Sequence, residues 1–159
     1  MALQHQPRTV SVREATLEDL PELLEDIREY DRLEWVGGLG MPLEPALRAA
    51  IELGGKIALD QDGKPLCMWG SAPTLSDDIA SVWLVATNRA TDFKFSIHGY
   101  LKQELEAFYT DGVEWLQADA YSLNTVHLSW LQWLGFKPCH EGPLGPLGLP
   151  FTTFLRKQT

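Results

Sequence analysis

Along this chain the apolar positions switch between two periods, and the switches mark out the elements. Thr9 to Val12 ("TVSV") carries the branched residues of a short strand. Directly after it, Leu20, Leu23, Leu24 and Ile27 recur at i, i+3, i+4 and i+7, which predicts an amphipathic helix within "REATLEDLPELLEDIREYD". Thr16 or Asp19 can accept from the free N–H groups at its start, Pro21 suits its first turn, and its many acids are expected on a solvated face. Glu34 to Pro42 ("EWVGGLGMP") reads as a glycine-rich break. Leu43, Leu47, Ala50 and Ile51 then mark a second helix, which Gly54 and Gly55 stop.

The period next shortens. Asp62-Gly63 between two apolar stretches signals a hairpin, since glycine supplies the positive φ of a tight turn. Ile79 to Thr87 ("IASVWLVAT") is almost wholly apolar, as a strand covered on both faces should be. Ile97, Leu101, Leu105 and Phe108 predict a third helix from about Phe93 to Tyr109, ended by Asp111-Gly112. Val113 to Tyr121 reads as another strand, and Asn124 to Phe136 ("NTVHLSWLQWLGF") as a fourth helix closed by Gly135. "FKPC" leaves as a strand, residues 141–150 ("EGPLGPLGLP") form a Pro/Gly-rich loop, and Phe151 to Leu155 is a terminal strand. This order predicts an α/β (mixed α+β) domain spanning 1–159: a mixed, mostly antiparallel sheet of about seven strands with about four helices on both faces. Residues 1–8 are expected to be a flexible tail.

Composition narrows the function classes. Thirteen basic against twenty-two acidic residues give a formal charge of −9, a field that repels nucleic acid. A phosphorylated cofactor would need a local basic or amide-rich pocket to overcome it. Cys67 and Cys139 form no CxxC pair, so neither a disulfide framework nor a metal site is expected. No apolar run has signal-peptide or membrane-spanning length, which predicts a cytoplasmic protein with no membrane partner.

Two motifs carry a resemblance. "VREATLEDLPELL" is similar to the opening strand and acidic-capped helix of the GNAT (Gcn5-related N-acetyltransferase) superfamily. Asn124 followed by an apolar turn and then Leu134-Gly135-Phe136 resembles that family's asparagine-to-"leucine-glycine-phenylalanine" helix, except that Leu131 stands where the family has a tyrosine. "SVWLVAT" before a long helix, the "WLQWLGF" helix and a closing "PFTTFLRK" further resemble the small internal virion, or core, proteins of T7-like podophages. That second likeness implies a phage protein in the host cytoplasm or the virion, with a host or phage protein as partner and a dimer permitted.

The GNAT resemblance implies acetyl-CoA as cofactor, no metal, and a pantetheine arm paired with the exposed strand edge at Leu84, Val85 and Ala86. Asn88, Arg89 and Asn124 follow as cofactor contacts, with Lys94 a further candidate for phosphate. The family's glycine loop is missing: no glycine lies between Asn88 and His98, and Asp92 places a negative charge there. With Leu131 in the tyrosine's place, Tyr121 is the nearest substitute proton donor to the departing thiolate, and Asp119, Glu114 or water would deprotonate the amine. Plainer roles compete with each of these. Asn124 suits a helix cap, His127 falls on the core-facing arc, Asp119 and the basic residues suit solvated faces, and Trp35 or Trp133, if exposed, suit contact with a protein partner.

Overall fold

In the computed structural model, which describes residues 9–159, the chain runs β1 (Ser11–Glu14), a 3₁₀ turn (Leu17–Asp19), α1 (Leu20–Glu25), α2 (Glu29–Leu39), α3 (Leu43–Glu52), β2 (Lys56–Leu59), β3 (Pro65–Pro73) and β4 (Ile79–Ala86). A second 3₁₀ segment (Asn88–Phe93) leads into α4 (Lys94–Ala107), β5 (Trp115–Tyr121), α5 (Thr125–Trp133), β6 (Lys137–Leu144) and β7 (Leu149–Lys157). The expected tail at 1–8 lies outside the described residues.

The strands form one seven-stranded sheet in the order β1-β2-β3-β4-β5-β7-β6. Every neighbouring pair is antiparallel except β4 and β5, which are parallel. Side chains alternate across the pleat. On one face Met68 and Val85 join Leu20, Leu23, Leu43, Leu47 and Ile51 beneath α1 and α3. On the other, Cys67, Trp69 and Ala86 join Ile97, Leu101, Leu105, Trp130 and Leu131 of α4 and α5. The predicted sheet and its two helical layers are therefore present, with five α-helices rather than about four. The Asp62-Gly63 hairpin forms as expected: Gly63 takes φ 77°, and Asp60 Oδ1 accepts the Asp62 and Lys64 N–H groups at 2.8 and 2.9 Å.

Three readings of the sequence need correction. The first predicted helix is two, because Ile27 leaves helix to bridge Thr87 before α2 begins. The supposed break at Glu34–Pro42 is instead largely helical, since α2 continues through Gly37 and Gly38 to Leu39. Those glycines serve close packing under β7: a Cβ on Gly37 would meet Leu149 Cδ1 at 2.6 Å, and one on Gly38 would meet Phe151 Cζ at 3.2 Å. Finally, only 145–148 of the expected 141–150 loop connects β6 to β7; the flanking residues pair as strand. The prolines Pro138 and Pro143 are tolerated because β6 lies at the sheet edge, where an N–H can be missing.

Candidate functional site

Parallel pairing of β4 with β5 is confined to Ile79–Trp115, Ala80–Leu116 and Ser81–Gln117. β5 then follows β7 along its whole length while β4 follows β3, so the two strands part beyond Ser81. The edge of β4 facing that gap must find other partners for its backbone groups. Helix α2 supplies them. Ala86 N–H donates to Asp31 Oδ2 at 2.7 Å, Arg28 N–H donates to the Ala86 carbonyl at 3.0 Å, and the Trp35 indole N–H donates to the Leu84 carbonyl at 3.2 Å. Across the gap, the Tyr121 N–H donates to Glu34 Oε2 at 2.9 Å. Asp31 and Glu34, three residues apart on one face of α2, thus each take hold of a different strand.

Helix α5 completes the cluster. Asn124 stands at its N-cap position, but its side chain caps nothing. Its amide instead donates to Asp31 Oδ1 at 2.8 Å and Glu34 Oε2 at 3.2 Å, and its carbonyl oxygen accepts from Arg28 at 3.3 Å. His127 follows on the same helix, with Nδ1 2.9 Å from both Glu34 oxygens, and Arg28 pairs with Asp31 at 3.0 Å. Burial pushes the Asp31 carboxyl above its ordinary value, with His127 and Arg28 opposing. Burial would lower His127, but Glu34 and Asp31 outweigh it and hold the imidazole above its usual range. The imidazole is thus buried against two carboxyl groups and holds its proton more tightly than a free histidine does.

Three spaces adjoin this cluster. A groove of about 550 Å³ runs between the start of α4 and α5, walled by Arg28, Ala86, Lys94, Phe95, Trp130 and Trp133. A cleft of about 330 Å³ opens between α2, α3 and the sheet, where Glu34, Trp35, Trp83, Asp119, His127 and Phe151 meet. Between them is a cavity of about 20 Å³ that shares Trp130 with the groove and Trp83, Leu84 and His127 with the cleft. The Trp69, Trp83 and Trp130 rings all wall this cavity, and each bears a buried indole N–H with no acceptor. Leu131, in the expected tyrosine's place, lines it too.

The structure gathers only some of the residues expected from sequence. Leu84, Ala86 and Asn124 meet at the gap, although their polar groups already bond within the chain; Val85 turns its side chain into the opposite core. Asn88 is held by the Asp26 carbonyl and carboxylate at 3.2 and 3.1 Å, and Arg89 is paired with Asp60. Neither lines the groove, whereas Lys94 does. Asp119 lines the cleft and accepts from Thr153 Oγ1 at 2.6 Å and from Gln117 at 3.3 Å. The Tyr121 ring is buried against Tyr30 and Phe151, with centroids 6.4 and 5.9 Å away. Glu114 is exposed at the far, paired end of β5. Trp35 is buried, while Trp133 is 46% exposed and stacks on His98 at 3.6 Å.

Sequence reasoning missed Arg28, Asp31 and Glu34, and it placed the acid at 31 on a solvated face; Asp31 is 1% and Glu34 6% exposed. A signal existed, since 31 and 34 continue the stripe set by Leu20, Leu23 and Ile27. Acids on an apolar stripe point to a buried polar network.

No family model matches the chain, and no curated protein matches its sequence. Solved structures do match its fold. The aminoglycoside acetyltransferase AAC(6')-Ib, in complex with ribostamycin and coenzyme A, is 18% identical, with 94% of each chain covered and a TM-score of 0.69. A ribosomal-protein-alanine N-acetyltransferase from Brucella melitensis is 14% identical over 93% of this chain and 99% of its own, with a TM-score of 0.70. A GNAT superfamily phosphinothricin acetyltransferase from Sinorhizobium meliloti, in complex with AcCoA, is 15% identical over 94% and 88%, with a TM-score of 0.65. The chain has the GNAT fold. Among the described residues no helix is long and apolar enough to cross a membrane, and no group of three or more His, Cys, Asp or Glu side chains is placed to hold a metal ion.

Proposed function

We propose that the chain is an acetyl-CoA-dependent N-acetyltransferase. The observation that carries this reading is the pair of openings on opposite faces of the sheet, meeting at a cavity between the parted halves of β4 and β5. A two-substrate transfer needs such an arrangement, because each reactant must reach the same point without crossing the other's path. Lys94 gives the groove a local positive charge in a chain of net charge −9, while Arg28 beside it is already paired with Asp31. When bound, the thioester supplies an activated acetyl group, whose C–S bond breaks as a C–N bond forms to the amine.

The chain's own groups manage the protons. Asp119, in the cleft, takes the proton lost by the attacking amine, directly or through water. His127, which lines both the cavity and the cleft and whose proton Glu34 and Asp31 make harder to lose, supplies the proton to the departing sulfur and regains one from solvent. Tyr121, walled in by Tyr30 and Phe151, lines neither space, so this reading gives its expected role to His127. The likeness to podophage internal virion proteins supports a phage or host protein as the amine donor, met in the host cytoplasm or the virion.

One observation favours a second reading, a catalytically silent GNAT fold that works by binding a phage or host protein. Asp31, Arg28 and Trp35 already occupy the β4 edge groups that a pantetheine arm would use. Incubation with acetyl-CoA and amine-bearing peptides, followed by detection of released thiol and of acetylated peptide, separates the two. Thiol release that depends on the peptide and is lost in His127→Gln supports transfer. Its absence, with the protein folded and the peptide set broad, supports the silent reading.

A further inference from the structure

We propose that the amine entering the cleft is the α-amine of a peptide or protein chain whose first residue bears a large apolar side chain. This rests on the transfer reading and names its acceptor. Ser81 is the last residue of β4 to pair with β5, and its partner is Gln117. Asp119, two residues further along β5, takes the next position on the same face, just past the point where the strands part. Thr153 and Gln117 each bond one of its oxygens, which leaves room for another donor, since a carboxylate can accept about four. The cleft's other acid, Glu34, is buried and committed to Tyr121, Asn124 and His127. Among the described residues no lysine or arginine lines the cleft. One half-buried carboxylate therefore awaits one ammonium group, and a polycation would find too few partners.

The rest of the wall is mostly apolar. Trp83 and Phe151 stand on the two strands that flank β5, and Ala49 and Ala50 of α3 leave space. Leu39, Leu53 and Leu144 converge on the cleft from α2, the end of α3 and β6, yet stay 56%, 64% and 41% exposed. Large apolar side chains left open around one acid suit an apolar group carried close to a charge. At about 330 Å³ the cleft holds one large side chain beside its amine. A lysine amine ends a slender arm that would leave much of this wall wet. An α-amine also loses its proton near pH 8, against about 10.4 for lysine, so a weak base such as a carboxylate suffices. Asp119 takes the proton that the nitrogen loses as its bond to the acetyl carbon forms and the C–S bond breaks.

Two peptides differing only in a first Phe or Ser, the Phe peptide with its α-amine blocked and an internal lysine added, and spermine test the assignment. Indole ¹⁵N–¹H spectra of the protein without cofactor read binding, and thiol release with acetyl-CoA reads transfer. The free Phe-first peptide is expected to move the Trp35 and Trp83 indole signals and leave that of Trp133, in the groove, in place. It should bind roughly tenfold to a hundredfold more tightly than the Ser-first peptide, with spermine and the blocked peptide no better than the latter. Asp119→Asn should weaken its binding about three- to tenfold and leave acetyl-CoA binding unchanged. Ala49→Lys, an exposed helix position that lines the cleft, serves if that variant does not fold, and should weaken the peptide at least as much. Equal binding of the Phe-first and Ser-first peptides, or of the blocked peptide, with acetyl-CoA still bound, would overturn the acceptor class and leave the cofactor reading standing. Phe-first binding without any acetyl-CoA binding or thiol release at millimolar cofactor would instead overturn transfer, and leave the cleft as a binding site for that chain end.

Discussion

Asp31 accepts the backbone N–H of Ala86 at 2.7 Å, although 55 positions of sequence separate them. A carboxylate from α2 thereby stands on the strand edge where a ligand carbonyl would pair, and it also binds Asn124 and Arg28. Removing it should leave the buried Ala86 N–H without an acceptor and take one from Arg28 and one from Asn124, which keep the Asn124 oxygen and Glu34 respectively. Asp31→Ala is expected to lower the unfolding free energy by roughly 2–4 kcal/mol in urea titration, and Asp31→Asn, which keeps an acceptor oxygen, by less. If a ligand amide competes with Asp31 for this N–H, acetyl-CoA should raise the Tm of Asp31→Ala more than that of wild type. An unchanged urea midpoint would mean that Asp31 is not bonded this way in solution.

His127 makes stability depend on pH. Its folded pKa is raised, so the folded state holds the proton more tightly than the unfolded chain does, where 6.5 is the ordinary value. The stabilisation is complete below that value and is lost as pH climbs through the folded pKa. Asp31, also raised, acts in a lower window, where stability falls as pH rises through the carboxyl's folded pKa. Unfolding free energies of wild type measured from pH 6 to 9 should therefore decline, and His127→Gln should flatten that decline. A wild-type profile that rises across the range contradicts the ion pair with Glu34.

Lys94 stands exposed at the mouth of the groove, 5.3 Å from the Phe95 ring centroid. Lys94→Glu should leave the fold intact, because no buried partner is lost. It should weaken acetyl-CoA binding about tenfold at low salt and less at high salt, as expected for a partly screened charge. Equal affinities for the variant and wild type at low ionic strength would remove Lys94 from the site.

The hairpin between β6 and β7 closes one side of the cleft through Leu144 and Phe151, and Gly145 sits at its tip with φ 77°. A Cβ there would come within 1.9 Å of the Gly37 carbonyl oxygen. Gly145→Ala combines that clash with an unfavourable backbone conformation, and should cost on the order of 2 kcal/mol or more by thermal or urea unfolding. A loss below about 0.5 kcal/mol would show that the tip does not rest on α2.

Local patterns made most of the fold legible. The stripe of Ile97, Leu101 and Leu105, the alternation along Val113 to Tyr121 and the Asp62-Gly63 turn each depend on near neighbours, and each formed where expected. Gly37 and Gly38 misled because their purpose is the approach of Leu149 and Phe151, more than a hundred positions away, which no local rule detects. The site was legible only along one strand. Leu84 and Ala86 were found as the edge, but their partners come from α2, and Arg89 was drawn to Asp60 in the neighbouring hairpin. Chemistry assembled from distant segments cannot be read from spacing. Only the acids at 31 and 34, placed on an otherwise apolar stripe, betrayed it.

Calorimetric titration of the folded protein with acetyl-CoA bears most directly on whether the parted strands receive a thioester. The account predicts saturable binding at one site per chain, weakened by Lys94→Glu and accompanied by a rise in Tm. No heat and no Tm change at millimolar acetyl-CoA, from a protein with intact near-ultraviolet dichroism, would contradict it and leave a GNAT fold that has kept the gap and given up the transfer.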